Sequence, residues 1–178
     1  FSLMKIAFLD RDGTLIRNAH YLSRPEQIEI LPGVSEGLLL LMREKFRLII
    51  LTNQSGIGRG YFSEDDLEQI HTKLKQLFVA QSIYFDGIYH CPHRPDEICP
   101  CRKPKTGMLM NALRDHSIDL RRDQALMIGD SDADIGLARN VGIPAIAVPP
   151  EKPFSIQPDF QAPDFLAAAR TAIKLFAT

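Results

Sequence analysis

Two aspartates flank one arginine where the first apolar run of the chain stops. The stretch FLDRDGTLI covers residues 8–16 and contains Asp10 and Asp12. A carboxylate at Asp10 can attack phosphorus in line and form an aspartyl phosphate, which divides one difficult displacement into two easier steps. The carboxyl group of Asp12 can protonate the leaving oxygen and later take a proton from water. The pair therefore indicates phosphoryl-transfer chemistry.

Further polar side chains follow later apolar runs. Thr52 and Asn53 end the second run, Asp130 ends the fourth, and Arg102 with Lys103 precedes a predicted helix. Ligands of open parallel sheets bind outside the carboxyl ends of the strands, so we expect these residues at one edge. Hydroxyl and backbone donors bind phosphoryl oxygens, and cations offset their charge. Clustered carboxylates need a cation, which predicts a Mg²⁺ and phosphate site.

All three cysteines of the chain lie within residues 91–101, beside a histidine. Three thiolates and one imidazole form the usual ligand set of a closed structural Zn²⁺ site. The alternative, free cysteines beside a surface histidine, would leave a proline-broken loop with no core to hold it. We therefore expect a zinc loop that walls the active site and fixes Arg102 and Lys103. Its predicted ligands are Cys91, His93, Cys99 and Cys101.

The elements that position these residues alternate along the chain. Apolar runs predict strands at 5–10, 47–52, 84–90, 124–130 and 142–148. Helical periods occupy 34–46, 63–81, 106–117, 131–142 and about 163–176. Strand interiors without polar alternation indicate burial on both faces. The pattern predicts an α/β fold, a doubly wound (Rossmann-like) parallel sheet with helices on both faces.

Spacing and composition limit what else the chain contains. The 178 residues, 45% of them apolar, suit a single domain over 1–178, and the intervals between the polar sites leave no room for a cap domain. Six of the twelve prolines lie between 144 and 163, which predicts an irregular segment before the last helix. The net charge of -1 favours neither a nucleic-acid nor a membrane partner. We expect a cytoplasmic monomer that binds a small phosphorylated substrate.

Four segments carry a family resemblance. DRDGT, ILTNQSG, RKPKTG and GDSDADI, in this order, resemble the four motifs of the haloacid dehalogenase superfamily of aspartate-dependent phosphatases. The resemblance implies that Asp10 is the nucleophile and Asp12 the acid and base. It also implies that Thr52 and Lys103 bind phosphate. The implied Mg²⁺ ligands are Asp10, Asp130 and the backbone carbonyl of Asp12.

Within that superfamily the chain resembles two capless groups that carry such a loop. NQSGIGRG and RKPKTGM are similar to the heptose 1,7-bisphosphate 7-phosphatases, and a second substrate phosphate would suit the extra cations Arg59, Arg102 and Lys105. The short spacer between His93 and Cys99 is similar to the histidinol-phosphate phosphatases. By the same resemblance, Asn18 and Tyr21 contact the sugar. We expect the heptose enzyme, with histidinol-phosphate phosphatase as the alternative.

Other interpretations are weaker. A nucleic-acid 3′-phosphatase would need clustered basic residues, and a non-catalytic zinc-stabilised binding module would not need the acidic motifs. Asp132 and Asp134 resemble the start of a calcium loop, but Ile135 stands where that loop has glycine. A solvated helix N-terminus is a sufficient explanation for Asp132. The sequence leaves the role of Asp134 open.

Overall fold

The computed structural model describes residues 2–177, which build one six-stranded sheet. All strand pairs are parallel, and the order is β3-β2-β1-β4-β5-β6. The strands are β1 Lys5–Leu9, β2 Phe46–Asn53, β3 Gly87–Cys91, β4 Gln124–Gly129, β5 Ala145–Ala147 and β6 Phe160–Gln161. This topology confirms the predicted parallel α/β sheet.

Helices cover both faces of the sheet. They are α1 Val34–Arg43, α2 Ser55–Gly58, α3 Glu64–Val79, α4 Gly107–Asp115, α5 Asp132–Val141 and α6 Phe165–Leu175. The apolar sides of α1, α3 and α6 share one core cluster with one face of the sheet. Those of α4 and α5 share the second cluster with the opposite face. The fold is therefore doubly wound, as predicted.

The residues of β1 show why the strands read as continuous apolar runs. Ala7 and Leu9 belong to one core cluster, whereas Ile6 and Phe8 belong to the other. All four are fully buried. Complete burial of a large apolar side chain contributes about 1.5–3 kcal/mol, so both faces of this strand stabilise the fold. A parallel sheet covered on both sides requires this pattern.

The proline-rich segment contains a strand that the sequence analysis missed. The two residues of β6 pair with β5, and the Asp159 carboxylate accepts a 2.7 Å hydrogen bond from the backbone N–H of Ala145. The Arg139 guanidinium lies 2.8 Å from the same carboxylate. Two residues are too few to show a strand period, so the segment looked irregular in sequence.

Helix borders follow the expected capping chemistry. The Ser63 hydroxyl accepts from the Asp66 N–H at 3.1 Å, and the Asp66 carboxylate accepts from the Ser63 N–H at 2.8 Å. Gly142 ends α5 with a φ of 78°, a left-handed conformation that glycine adopts without strain. These contacts satisfy backbone groups at the ends of α3 and α5. Within residues 2–177, no helix combines the length and apolar character needed to cross a bilayer.

The strand order places the site. β1 lies between β2 and β4 in the sheet. The helix after β1, α1, packs in one core cluster, whereas the helix after β4, α5, packs in the other, so the chain leaves these two strands toward opposite faces of the sheet. A crevice forms outside the carboxyl ends of strands at such a reversal. Residues that directly follow β1 and β4 therefore meet there.

Candidate active site

Asp10 and Asp130 meet at the carboxyl ends of β1 and β4. The Asp10 N–H continues the ladder by donating to the Ile128 carbonyl at 3.0 Å, and both aspartates are buried. The Thr14 hydroxyl lies 3.5 Å from one oxygen of each carboxylate. Gly13 has a φ of +82°, and a Cβ atom there would overlap the Asp130 carboxylate. Only glycine therefore permits this close approach of the Asp130 carboxylate to the turn after β1.

Lys103 carries a buried cation into the same site. Its ammonium group donates to Asp10 Oδ1 at 2.8 Å, to Asp134 Oδ1 at 2.7 Å and to the Leu51 carbonyl at 2.7 Å. Burial alone would lower the pKa of Lys103, but the two carboxylates outweigh it and raise the pKa above its usual range. The side chain is 2% exposed, with all three donor positions occupied.

Asp134 is a site residue that the sequence left open. It is completely buried, and its Oδ2 accepts from the backbone N–H groups of Asp130 at 3.1 Å and Ser131 at 3.2 Å. Its other oxygen binds Lys103. Asp132, in contrast, accepts from the backbone N–H of Ser155 on the surface. The signal for Asp134 was its spacing from Asp130, which turns it toward the sheet in the first turn of α5.

The acidic cluster has the properties of a divalent-cation site. Carboxylate oxygens of Asp10, Asp130 and Asp134 lie within 4.8 Å of one another. Burial and the nearby Asp10 charge raise the pKa of Asp130 to about 9 and that of Asp134 to about 6. Their ionised forms therefore need more positive charge than Lys103 provides. Hard oxygen ligands in this arrangement fit Mg²⁺.

Asp12 is held by side chains that the sequence analysis did not single out. Arg11 donates to both of its oxygens, from Nη2 to Oδ1 at 2.9 Å and from Nε to Oδ2 at 3.2 Å. Gln54 donates to Oδ2 at 3.0 Å. The Asp12 side chain is 23% exposed, whereas the Arg11 side chain is 1% exposed. The motif thus places Asp12 at the cavity and its arginine partner in the interior.

Thr52 and Asn53 end β2 behind the acidic cluster. The Thr52 hydroxyl accepts from Gln54 Nε2 at 2.8 Å and is buried. The Asn53 amide binds the Lys103 backbone twice, accepting from its N–H at 2.9 Å and donating to its carbonyl at 3.2 Å. Asn53 therefore fixes the chain that carries Lys103, in addition to lining the cavity.

A cavity of about 390 Å³ opens above these groups. Asp10, Asp12, Asn18, Asn53, Lys103 and Asp130 line it, so most of the predicted site residues come together. The expectation that the cysteine loop walls the cavity was wrong. The wall consists of residues 131–133 and 151–153, because the backbone N–H groups of Ser155 and Ile156 bind Asp132 and hold the proline-rich segment over the site.

Five predicted substrate-binding residues lie outside that lining: the buried Thr52, Lys105, which donates to the Cys99 carbonyl, and the three that follow. Tyr21 is 46% exposed and packs edge-on against Tyr61, with ring centroids 4.8 Å apart. The Arg59 guanidinium lies 5.7 Å from the Tyr21 ring centroid. Arg102 is partly buried, and its Nη1 has no hydrogen-bond partner within residues 2–177. The structure does not bring these last three side chains together with the acidic cluster.

The cysteine and histidine side chains of residues 91–101 converge on one point. His93 Nδ1 lies 3.4 Å from Cys91 Sγ and 3.3 Å from Cys101 Sγ, and Cys91 Sγ lies 3.8 Å from Cys99 Sγ. The ligand atoms of a tetrahedral zinc lie roughly 3.5–3.8 Å apart, so the 2.8 Å between Cys101 Sγ and Cys91 Sγ would widen on binding. Burial acts to raise the pKa of Cys99, but N–H donors of Arg102 and Cys101 lower it to about 6, which favours a thiolate.

Comparisons with known proteins agree with this geometry. A family model described as HAD-hydrolase-like matches residues 100–168. The D-glycero-beta-D-manno-heptose-1,7-bisphosphate 7-phosphatase of Haemophilus influenzae is 40% identical over 137 residues, which cover 74% of this chain and 73% of the relative. The bifunctional histidine biosynthesis protein HisB of Blochmanniella floridana is 40% identical over 145 residues. That match covers 80% of this chain but only 40% of the relative.

A crystal structure extends the likeness to the whole fold. The D,D-heptose 1,7-bisphosphate phosphatase of B. bronchiseptica, complexed with magnesium and phosphate, superposes with a TM-score of 0.85 and 28% identity. The match covers 97% of this chain and 99% of that one. Given the acidic cluster, the buried Lys103 and these relatives, the chain belongs to the HAD-like hydrolase family and is one of its phosphatases.

Proposed function

We propose that this phosphatase is Mg²⁺-dependent and removes the 7-phosphate of D-glycero-D-manno-heptose 1,7-bisphosphate through a phosphoaspartate at Asp10. The observation that carries the chemistry is the 2.8 Å contact between Lys103 Nζ and Asp10 Oδ1 beside Asp130. This contact fixes the rotation of the Asp10 carboxylate and places a permanent positive charge where phosphoryl oxygens gather. The relatives named for heptose bisphosphate support the substrate.

Two displacements account for the reaction. An Asp10 oxygen attacks phosphorus, the bond from phosphorus to the sugar oxygen breaks, and Asp12 gives that oxygen a proton. Asp12 then takes a proton from a water molecule whose oxygen attacks the phosphoaspartate. Phosphate leaves, and the Asp10 carboxylate is restored. Mg²⁺, held by Asp10, Asp130 and the Asp12 carbonyl, would supply charge that neutralises the phosphoryl oxygens.

The proposal assigns Zn²⁺ to Cys91, His93, Cys99 and Cys101. The convergence of three sulfur atoms and one ring nitrogen supports it. Lys103 follows Cys101 by two residues, and the Lys105 ammonium donates to the Cys99 carbonyl at 2.8 Å. Zinc would therefore stiffen the segment that delivers the buried cation. Its role is structural, because four protein ligands leave no open position.

The cavity wall bears on the choice of substrate. The Lys103 ammonium group is fully engaged with two acids and the Leu51 carbonyl, whereas Lys152 lines the cavity without a partner among residues 2–177. A second anionic group on the substrate would find its cation at Lys152. Histidinol phosphate carries a cationic amine instead of a second phosphate. The carboxylate of Glu151, which precedes Lys152 and also lines the cavity, would suit that amine. The HisB relative keeps histidinol phosphate as the second candidate.

The deciding experiment compares kcat/KM for heptose 1,7-bisphosphate and histidinol phosphate on one enzyme sample with Mg²⁺. We expect the heptose substrate to be preferred. A tenfold preference for histidinol phosphate, about 1.4 kcal/mol of transition-state binding, would reverse the assignment. Loss of phosphate release from both after chelation, and its return with Mg²⁺, checks the metal dependence.

We also propose a single-domain, monomeric enzyme of the cytoplasm that binds neither nucleic acid nor membranes. Three unpaired thiols within residues 91–101 support a reducing compartment, since thiolate ligands there stay available to zinc. Light scattering of the purified protein tests the monomer directly. A dimer at micromolar concentration would contradict that part of the proposal without touching the chemistry.

A further inference from the structure

A buried histidine on α3 contacts the arginine that donates hydrogen bonds to Asp12. His71 Nε2 lies 3.1 Å from Arg11 Nη1, although the two residues are 60 positions apart in sequence. Both side chains are buried, with Arg11 among the largest fully buried side chains of the described residues. The other two contacts of Arg11 go to the two oxygens of Asp12. His71, Arg11 and Asp12 therefore form a continuous chain of hydrogen bonds.

The chemistry of Arg11 sets the direction of these hydrogen bonds. Arginine has no acceptor, so His71 Nε2 must accept, and the imidazole must be neutral with its proton on Nδ1. Burial, followed by the charges of Arg11, His90 and Lys75, lowers the pKa of His71 to about 3, which agrees with a neutral ring. The neutral ring lets an arginine sit in the interior without a second carboxylate. All the charge pairing of Arg11 is thus reserved for Asp12.

We propose that His71 is a positioning residue for the catalytic acid and base, Asp12. By accepting a hydrogen bond from Arg11, His71 fixes the guanidinium group whose two other donors set the orientation of the Asp12 carboxyl group. The proposal rests on the proposed phosphatase mechanism, in which Asp12 moves both protons. His71 touches no reacting atom. Without it, Arg11 Nη1 would lose its partner, and the guanidinium would turn toward other acceptors and take Asp12 with it.

A purely structural role would have different consequences. His71 packs in the protein interior, and its ring lies 6.5 Å from that of His90. Loss of packing would lower the amount of active enzyme equally for every substrate. Misplacement of Asp12 instead affects substrates according to their leaving group. A sugar alkoxide needs a proton as it departs, whereas p-nitrophenolate departs without one.

The test measures kcat/KM for heptose 1,7-bisphosphate and for p-nitrophenyl phosphate in each variant. This parameter reports only the steps up to the first irreversible one, the loss of the leaving group, so the later proton transfer from water does not enter. The ratio of the two values is taken within one sample, so a partly unfolded variant gives the same ratio as its folded fraction.

Two polar replacements differ only in reach. The amide of His71→Gln can place an oxygen near the position of Nε2, whereas His71→Asn is too short. We expect His71→Asn to lower the sugar-to-aryl ratio by about tenfold or more, a share of what general acid catalysis supplies. His71→Gln should restore the ratio to within about threefold of wild type. His116→Gln, which alters a histidine packed on Tyr89 instead, should leave it unchanged.

Arg11→Lys provides an independent check, because it keeps the positive charge and removes the planar guanidinium group that donates to both oxygens of Asp12. It should lower the same ratio, and adding His71→Asn should then cause no further fall. An unchanged ratio in His71→Asn, equal losses on both substrates, or additive losses in the double variant would each overturn the proposal. A wild-type protein that hydrolyses neither ester would instead refute the proposed function.

Discussion

Lys103 Nζ lies 2.8 Å from Asp10 Oδ1, across 93 positions of sequence, and neither group has much contact with solvent. A buried ammonium group in this position ties separate parts of the fold to Asp10. Asn53 holds the Lys103 backbone, and Asp134 holds the other side of its ammonium group. Asp10, the proposed nucleophile, is therefore oriented by β2, by the start of α5 and by the segment that follows the cysteine loop.

Replacing Lys103 by Met should destabilise the metal-free protein strongly. The change leaves Asp10 and Asp134 buried without their cation, and breaking such a pair costs about 3–5 kcal/mol of unfolding free energy. Urea unfolding in the presence of chelator measures the loss. Lys73→Met, on the exposed side of α3, should change the unfolding free energy by less than about 0.5 kcal/mol. A Lys103→Met protein as stable as the control would contradict the buried contact.

Replacing Lys152 by Ala should act on substrate choice and not on chemistry. We expect kcat/KM for heptose 1,7-bisphosphate to fall about tenfold, since a desolvated charged contact contributes roughly 1.5–3 kcal/mol and this one is partly solvated. The value for p-nitrophenyl phosphate should stay within about twofold. Lys174→Ala removes the same charge from the end of α6 and serves as control. Equal losses on both substrates would refute a role for Lys152 in binding the second phosphate.

Removing zinc should lower activity through Lys103. Cys99→Ser should bind less zinc, melt at a lower temperature and turn over p-nitrophenyl phosphate more slowly, because the segment from Cys101 to Lys103 loses its anchor. Elemental analysis, thermal unfolding and initial rates are measured on the same preparation. Asp10→Asn should keep one zinc per chain and lose activity. Full zinc content in Cys99→Ser, or zinc-free protein with unchanged rate, would count against the assignment.

The carboxyl group of Asp123, outside the active site, should make the free energy of unfolding depend on pH. Its carboxylate accepts from the N–H groups of Met4 and Asp119, and the hydrogen bond from Arg122 is the main cause that lowers the pKa of Asp123 to about 2. The folded pKa lies below the unfolded value of 3.8, so this stabilisation is complete above that value. It is lost as the pH falls from about 4 through 2.

Asp123→Asn should therefore be less stable than wild type by about 1–2 kcal/mol at pH 7, and the difference should shrink below pH 4. Urea unfolding of both proteins across this pH range measures the difference. A constant difference between pH 7 and pH 2.5 would show that the charge of Asp123 is not the source of its stabilisation.

The main acids were predictable because strand ends in a parallel sheet meet at one edge. Asp10 and Asp130 each directly follow an apolar run, so their meeting at the cavity could be predicted from those positions. Arg11 and His71 were not predictable. Their contact joins a loop to a helix 60 positions away, and a histidine inside an amphipathic helix has no local signal that marks its partner.

The cavity wall was misplaced for a related reason. The cysteine loop precedes Lys103 in sequence, so proximity along the chain suggested that it covers the site. In the fold, a surface hydrogen bond from Ser155 to Asp132 brings residues 151–153 over the cavity instead. Irregular segments carry no periodicity, and their course is set by such single contacts.

Trapping the phosphorylated residue is the sharpest test of Asp10 as the nucleophile. In Asp12→Asn, p-nitrophenyl phosphate should still phosphorylate Asp10, because its leaving group needs no proton, whereas hydrolysis of the phosphoaspartate should be slow. We expect a burst of one p-nitrophenolate per active site. Acid quenching and borohydride reduction should then convert Asp10, and no other residue, to homoserine. Absence of the burst together with reduction at another residue, or at none, would contradict Asp10 as the nucleophile.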